Sequence, residues 1–372
     1  MPSVGPLRLR VDGTRILDPS GAPIRLRGAN LEGVTDAEAA ELHDVLHLSF
    51  VRLRVSFEGA NRDDTQPSHL APAYRASIGA WLKALRDHHV WALIEMRTDD
   101  ATANAPGLYT KGAPDFVAYT AAWTAIASDA RDVDYIAGYG LLAEPSPDKA
   151  KTLADPVNAL VDLQTALMDA ITSGAHDTRT PFFVGPAFNY DAMEYRRSDY
   201  YDRLAAYAGR LVYEVNVLQP KPFIDEGLGA DGLPATYPAV ASPVDFSSFL
   251  SVRSGESFGA DELEKIFNAR RKEQDSFVKL LSPDFFPWYL SWPLAFRDAH
   301  QVPLVVDQFG VTSGAKTRGG LDYERDLIQF AEGHDIHWCR WAYNAGSRDR
   351  KITGDADVFA FYRDVVPTLA KP

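Results

Sequence analysis

The chain reads as an α/β protein built on a TIM barrel, and three observations predict this. Short apolar runs suited to buried strands alternate from end to end with longer stretches of helical period. Eight such runs can be picked out, the number that closes a parallel barrel. With 372 residues the chain is long enough for one barrel with insertions, so a single domain over 1–372 is expected.

Residues 9–11 and 15–17 flank a turn containing Asp12-Gly13 and predict a small β-hairpin covering the barrel floor. The eight strands are expected at 24–28, 50–57, 90–96, 136–142, 182–185, 211–218, 302–309 and 336–343. Helical spacing is clearest at Ile78, Trp81, Leu82 and Leu85. It recurs from Val157 through Leu160, Val161, Gln164, Leu167, Met168 and Ile171, where Gly174 marks the stop. Thr35 with Glu38 forms a capping-box pattern. Between the sixth and seventh strands a long Gly/Pro/Asp-rich insertion runs over 221–257, followed by a charged helix starting near Asp261. Long loops in compact domains commonly carry function, so this one is expected to wall a cleft; an insertion without such a role is the alternative.

The formal net charge of -13 excludes a nucleic-acid scaffold, which needs a basic face to displace counterions, and speaks against an anionic membrane surface. Charges interrupt every apolar stretch before it could span a bilayer. The only cysteine is Cys339, so no intrachain disulfide can form and a buried core thiol is expected. The first residues carry no basic segment leading into an apolar run, which predicts a cytoplasmic protein or a secreted one whose leader has been removed. The nine histidines show no HxxxH spacing, so neither a metal nor a cofactor is expected.

Several strand ends carry motifs. Leu26-Arg27-Gly28-Ala29-Asn30 closes the first strand, and Phe50-Val51-Arg52-Leu53 opens the second. Leu141-Leu142-Ala143-Glu144-Pro145 ends the fourth, Tyr213-Glu214-Val215-Asn216 lies on the sixth, and Val306-Asp307-Gln308-Phe309-Gly310 ends the seventh. In this order and spacing the chain resembles glycoside hydrolase family 5, the cellulase-like retaining β-glycosidases, over nearly its whole length. The resemblance implies a carbohydrate substrate and names roles. Glu144 stands at the general acid/base of the "N-E-P" motif, and Gln308 at the nucleophile of the "G-E-F-G" motif. Arg52 matches the arginine that supports the nucleophile, and Trp341 falls where the eighth strand carries a sugar-stacking tryptophan.

The chemistry of that family needs two carboxyl groups about 5–5.5 Å apart, one to protonate the leaving oxygen and one to attack the anomeric carbon. Gln308 cannot take the second role, because a neutral amide is a poor nucleophile and offers no charge to an oxocarbenium-like transition state. The chain therefore reads as nucleophile-disabled, and the retaining mechanism is expected only if a glutamate is natural at 308. Further departures are Ala143 for the family's asparagine, Arg97 for a histidine, and Asn216 and Leu218 for a histidine and a tyrosine. These leave two other readings open: a carbohydrate-binding protein that has lost catalysis, and a diverged glycosidase using another carboxylate, Glu214 first.

Strand alternation places Arg52 and Arg54 on the inward face, and it groups Glu95 with Arg97 and Glu214 with Asn216. Such charges either plug the barrel as an internal ion-pair network or recognise substrate. On the second reading Arg52, Arg97, Asn216, Glu214 and Trp341 line one cleft. Arg97 would then favour a sugar bearing a carboxylate, sulfate or phosphate, since guanidinium pairs bidentately with such groups.

Overall fold

The chain enters through a hairpin: β1 (Arg10–Asp12) and β2 (Arg15–Leu17) pair antiparallel around Gly13, whose φ of +60° suits glycine at the turn. The computed structural model describes residues 5–369, apart from 148–149, 151–152, 154, 197–198, 220, 225–235, 239–280 and 345–349. Eight parallel strands follow the hairpin. They are β3 (Arg27–Leu31), β4 (Phe50–Ser56), β5 (Trp91–Arg97), β6 (Ile136–Gly140), β7 (Phe182–Val184), β8 (Leu211–Val217), β9 (Leu304–Phe309) and β10 (His337–Arg340). Each pairs with the next, and β10 returns to β3, closing the barrel.

Seven of the expected strands overlap their observed counterparts closely. The first is displaced: β3 begins at Arg27 because Ile24 instead donates its N–H to Ile16 O, and Pro23 bridges to Leu17, tying that segment to the hairpin. Most of 221–257, and the helix expected near Asp261, lie outside the described residues; the described part of the insertion includes one helical turn, Lys221–Ile224.

The helices pack their apolar stripes on the outside of the strands. In α1 (Pro72–Asp87) the buried residues include Ile78, Leu82 and Leu85, the spacing read from sequence. In α3 (Pro156–Asp169), which follows α2 (Pro114–Ala130), Leu160, Val161, Gln164, Leu167 and Met168 are buried, and Asp155 caps the first turn by accepting from Asn158 N. The capping box of Thr35 and Glu38 forms as expected at the start of the short helix Asp36–Ala40.

Inside, the barrel fills in layers. Phe50, Leu93, Ala137, Phe183, Val212, Val305 and Cys339 make an apolar plug at the lower end, and Leu9 and Ile16 of the hairpin segment seal it from below. Cys339 is thus the buried thiol the sequence suggested, and burial pushes its pKa up. One strand step above this plug the side chains turn polar, because the next inward positions are Arg52, Glu95, Glu214 and Asp307.

Candidate active site

The polar layer is organised by Arg52, which has no exposed surface. Its guanidinium donates to Glu95 Oε1 and, at 2.8 Å, to Asn30 Oδ1. It lies 3.1 Å from Asp307 Oδ2, and its Nε is 4.0 Å from Glu214 Oε1. These partners sit on β3, β5, β8 and β9, so the contacts cross the barrel interior. Asn30 completes the arrangement by donating to Asp307 O at 2.9 Å. Gly140 beside Glu95 is required by space, since a Cβ there would come within 2.7 Å of Glu95 Cγ.

Three buried carboxyl groups share this one guanidinium, and their ligand oxygens lie within 4.8 Å of one another. Such spacing would suit a cation, and Arg52 supplies that positive charge. One guanidinium balances one carboxylate, so the layer retains protons instead of carrying two uncompensated charges. Burial raises the pKa of Glu95 against the pull of Arg52. Burial, then the neighbouring Glu95 and Asp307, raises Glu214 well above the carboxylate range. Asp307 is pushed up by burial to about 7. Neither oxygen of Glu214 or Asp307 accepts a hydrogen bond among the described residues.

Above this layer lies the mouth. Glu144 follows β6, on a segment whose carbonyls are tied down one by one. Tyr119 and Trp123 of α2 both donate to Leu141 O, at 3.1 and 2.8 Å, and Tyr190 donates to Leu142 O. Ala143 N donates to Met96 O at 2.9 Å. Held this way, Glu144 takes a left-handed backbone with φ +49°, a conformation costing a non-glycine residue roughly 1–2 kcal/mol. Its half-buried carboxylate accepts from Asn216 Nδ2 at 3.0 Å.

Gln308 stands beside Asn216 through an irregularity in β9. Val215 pairs with Val306, but Asn216 pairs with Gln308, leaving Asp307 as an extra residue. Val305 belongs to the inner plug, so strict alternation would send Asp307 inward and Gln308 to the helix side. The bulge turns both inward: Asp307 joins the Arg52 layer, and Gln308 shares the face of Asn216. Gln308 is nearly buried, and its Nε2 has no hydrogen-bond partner among the described residues.

Trp341 follows β10 and is half-buried, with the Arg54 guanidinium 4.4 Å from its ring centroid. Gly310 is needed for its approach, because a Cβ there would lie 2.5 Å from Trp341 O.

Comparison with known proteins adds to this geometry. No family model matches the sequence, and no curated protein matches it. Among solved structures, a hyperthermophilic endo-β-1,4-glucanase in complex with substrate aligns over 91% of this chain and 96% of its own, with TM-score 0.65 and 9% identity. Thermotoga maritima Cel5A in complex with mannotriose covers 87% of this chain and 91% of its own, with TM-score 0.61 and 12% identity. An endogalactoceramidase covers 91% and 75%, with TM-score 0.60 and 15% identity. The fold is that of the cellulase-like glycoside hydrolases.

Within this cellulase-like barrel the residues singled out from sequence separate into three groups. Glu144, Asn216, Gln308 and Trp341 come to the mouth. Arg52 and Glu214 differ from the expectation that they contact substrate: both have no exposed surface and form the floor, because they sit one layer deeper on their strands. Arg97 lies at the end of β5 in an adjoining cleft, held by Glu58 at 3.0 Å and Glu32 at 3.5 Å. The carboxylates around it supply the negative charge that the sequence reading assigned to a bound sugar.

Two charged neighbours escaped the sequence reading. Asp307 was missed because reading Gln308 as inward-facing sends its neighbour to the helix side under strict alternation, which the bulge breaks. Arg350, in the segment after β10, lies near enough to feel the charge of Glu144, although burial lowers its pKa to about 10. Nothing local in a loop arginine signals that position.

Proposed function

We propose that this protein binds a β-linked saccharide at the mouth of the barrel, with Glu144 placed to give a proton to the glycosidic oxygen. The observation that carries the reading is the Asn216–Glu144 hydrogen bond of 3.0 Å on the strand register that sets Asn216 beside Gln308. A half-buried carboxylic acid, oriented by a neighbour and facing a position on the opposite strand end, is the arrangement that general-acid cleavage requires. Arg54 and Trp341 add a stacked wall for a sugar face. The partner position is an amide, so a double displacement through a covalent glycosyl intermediate is disabled in this chain, and a carboxylate at 308 would complete it.

A second reading, saccharide binding without turnover, is favoured by one specific arrangement. Glu95, Glu214 and Asp307 are all fully buried around Arg52, so none of them offers an exposed base in place of Gln308. The same burial weighs against Glu214 as an alternative catalytic carboxylate.

Hydrolysis of aryl β-glycosides and β-glucans separates these readings. The chain itself is expected to be inert, Gln308→Glu to gain activity, and Gln308→Glu with Glu144→Gln to lose it again. If Gln308→Glu stays inert on every substrate while still binding sugars, the binding reading replaces the hydrolase one. Cleavage by the unaltered chain would overturn the nucleophile argument.

A further inference from the structure

A second cavity of about 280 Å³ adjoins the mouth at the ends of β4 and β5, and its lining among the described residues includes Glu32, Arg54, Glu58, Tyr74, Trp81 and Arg97. Arg54 belongs to both spaces, since it also stacks on Trp341. The volume lies just under the range of about 300–1,000 Å³ usual for small-ligand pockets, which suits one sugar ring better than an extended chain.

The charges in this cleft cancel. Arg97 donates to Glu58 Oε1 at 3.0 Å, and one oxygen of Glu32 lies between Arg97 and Arg54, 3.5 Å from each. Two arginines face two glutamates, so an anionic ligand meets Glu32 and Glu58 while a cationic one meets Arg54 and Arg97. Hydrogen-bonding capacity is nevertheless left over. The side chains of Arg97, Glu58 and Glu32 keep 32%, 23% and 41% of their surface exposed, so part of their polar edge faces the cavity. Arg97 donates and the two glutamates accept. A hydroxyl can do both, and a ring with adjacent hydroxyls can serve a guanidinium and a carboxylate together. The apolar part of the wall comes from Tyr74 and Trp81, both half-buried, with ring centroids 5.9 Å apart. A pyranose presents the matching combination of hydroxyl edge and apolar face.

We propose that this cleft is a second sugar position, holding one neutral pyranose unit of the saccharide and selecting against uronate and amino-sugar units through its paired arginines and glutamates. The proposal rests on the reading that the mouth takes a saccharide, and it replaces the acidic sugar suggested by Arg97 in the sequence alone.

Binding is tested with uncharged cellotriose and mannotriose, an oligoglucuronate of the same length, and the chitosan trimer at mildly acidic pH, where it is cationic. Calorimetry gives affinities, and the indole N–H resonances of Trp81 and Trp341, assigned through Trp81→Phe and Trp341→Phe, report the cleft and the mouth separately. A neutral trimer is expected to shift both resonances and to bind at least about tenfold more tightly than either charged trimer. Arg97→Met and Glu58→Gln are each expected to weaken it about tenfold, the loss that follows removal of one charged hydrogen-bonding partner. Both variants should keep the parent's unfolding temperature within a few degrees. Tighter binding of a charged trimer overturns the proposal. A response at Trp341 with Trp81 silent and both variants unaffected overturns it while leaving the saccharide reading intact, and silence at both tryptophans with no measurable binding overturns both.

Discussion

Asn216 Nδ2 donates to Glu144 Oε1 at 3.0 Å, joining the end of the sixth barrel strand to the segment that follows the fourth. The bond spans the barrel wall, since β6 and β8 are separated by β7. It fixes the direction of a carboxylate whose backbone is already confined to a left-handed conformation. Its loss should therefore be felt in chemistry more than in folding. In a Gln308→Glu background, Asn216→Ala is expected to lower kcat by roughly 10–100-fold, the equivalent of one charge-assisted hydrogen bond, with a smaller change in KM. Steady-state kinetics on an aryl β-glycoside checks this, and an unchanged kcat would remove Asn216 from the positioning of Glu144.

The Arg52 layer predicts how stability responds to pH. Asp307 has its folded-state pKa raised from 3.8 to about 7, so the native protein holds a proton that the unfolded chain has released. Its contribution is fully present below the unfolded value and is lost as pH rises through the folded one, so the share of stability that Asp307 supplies should fall between about pH 4 and pH 7 and then level. Glu95 and Glu214, also raised, act in the same sense. Asp307→Asn mimics the protonated form. It is expected to flatten this slope, with a gain over the parent of up to roughly 4 kcal/mol above pH 7. Urea unfolding at a series of pH values measures the slope, and an unaltered profile would show that Asp307 titrates normally.

Arg52→Met makes the complementary test. Removing the guanidinium takes from three buried carboxyl groups the cation they share, and breaking such a pair costs about 3–5 kcal/mol. The loss should be largest at alkaline pH, where the acids must otherwise ionise, and smaller near pH 5, where they keep their protons. Denaturant midpoints at the two pH values decide it, and an equal loss at both would mean that Arg52 acts through packing alone.

Much of this was readable in the chain. The alternation of strand and helix patterns, with eight apolar runs, carries the barrel, because each buried strand must be apolar on both faces and each helix on one. Parity along β4, β5 and β8 put Arg52, Glu95, Glu214 and Asn216 on their inward faces, and it needed no tertiary information, since the side-chain period of a strand is two. The order of the motifs pointed to Glu144 and to the missing carboxylate at 308. Depth and register were decided only by the closed barrel. Parity gives the face of a strand but not its height, so Arg52 and Glu214 could not be told from residues at the mouth until the neighbouring strands fixed the layers. The bulge at Asp307 arises from pairing with β8, a strand nearly a hundred residues earlier. It alone turns two consecutive residues inward, one to share the charge of Arg52 and the other to face the site. Arg97 likewise reads as a free cation in the sequence, and becomes half of a neutral pair only because chain closure brings Glu32 and Glu58 beside it.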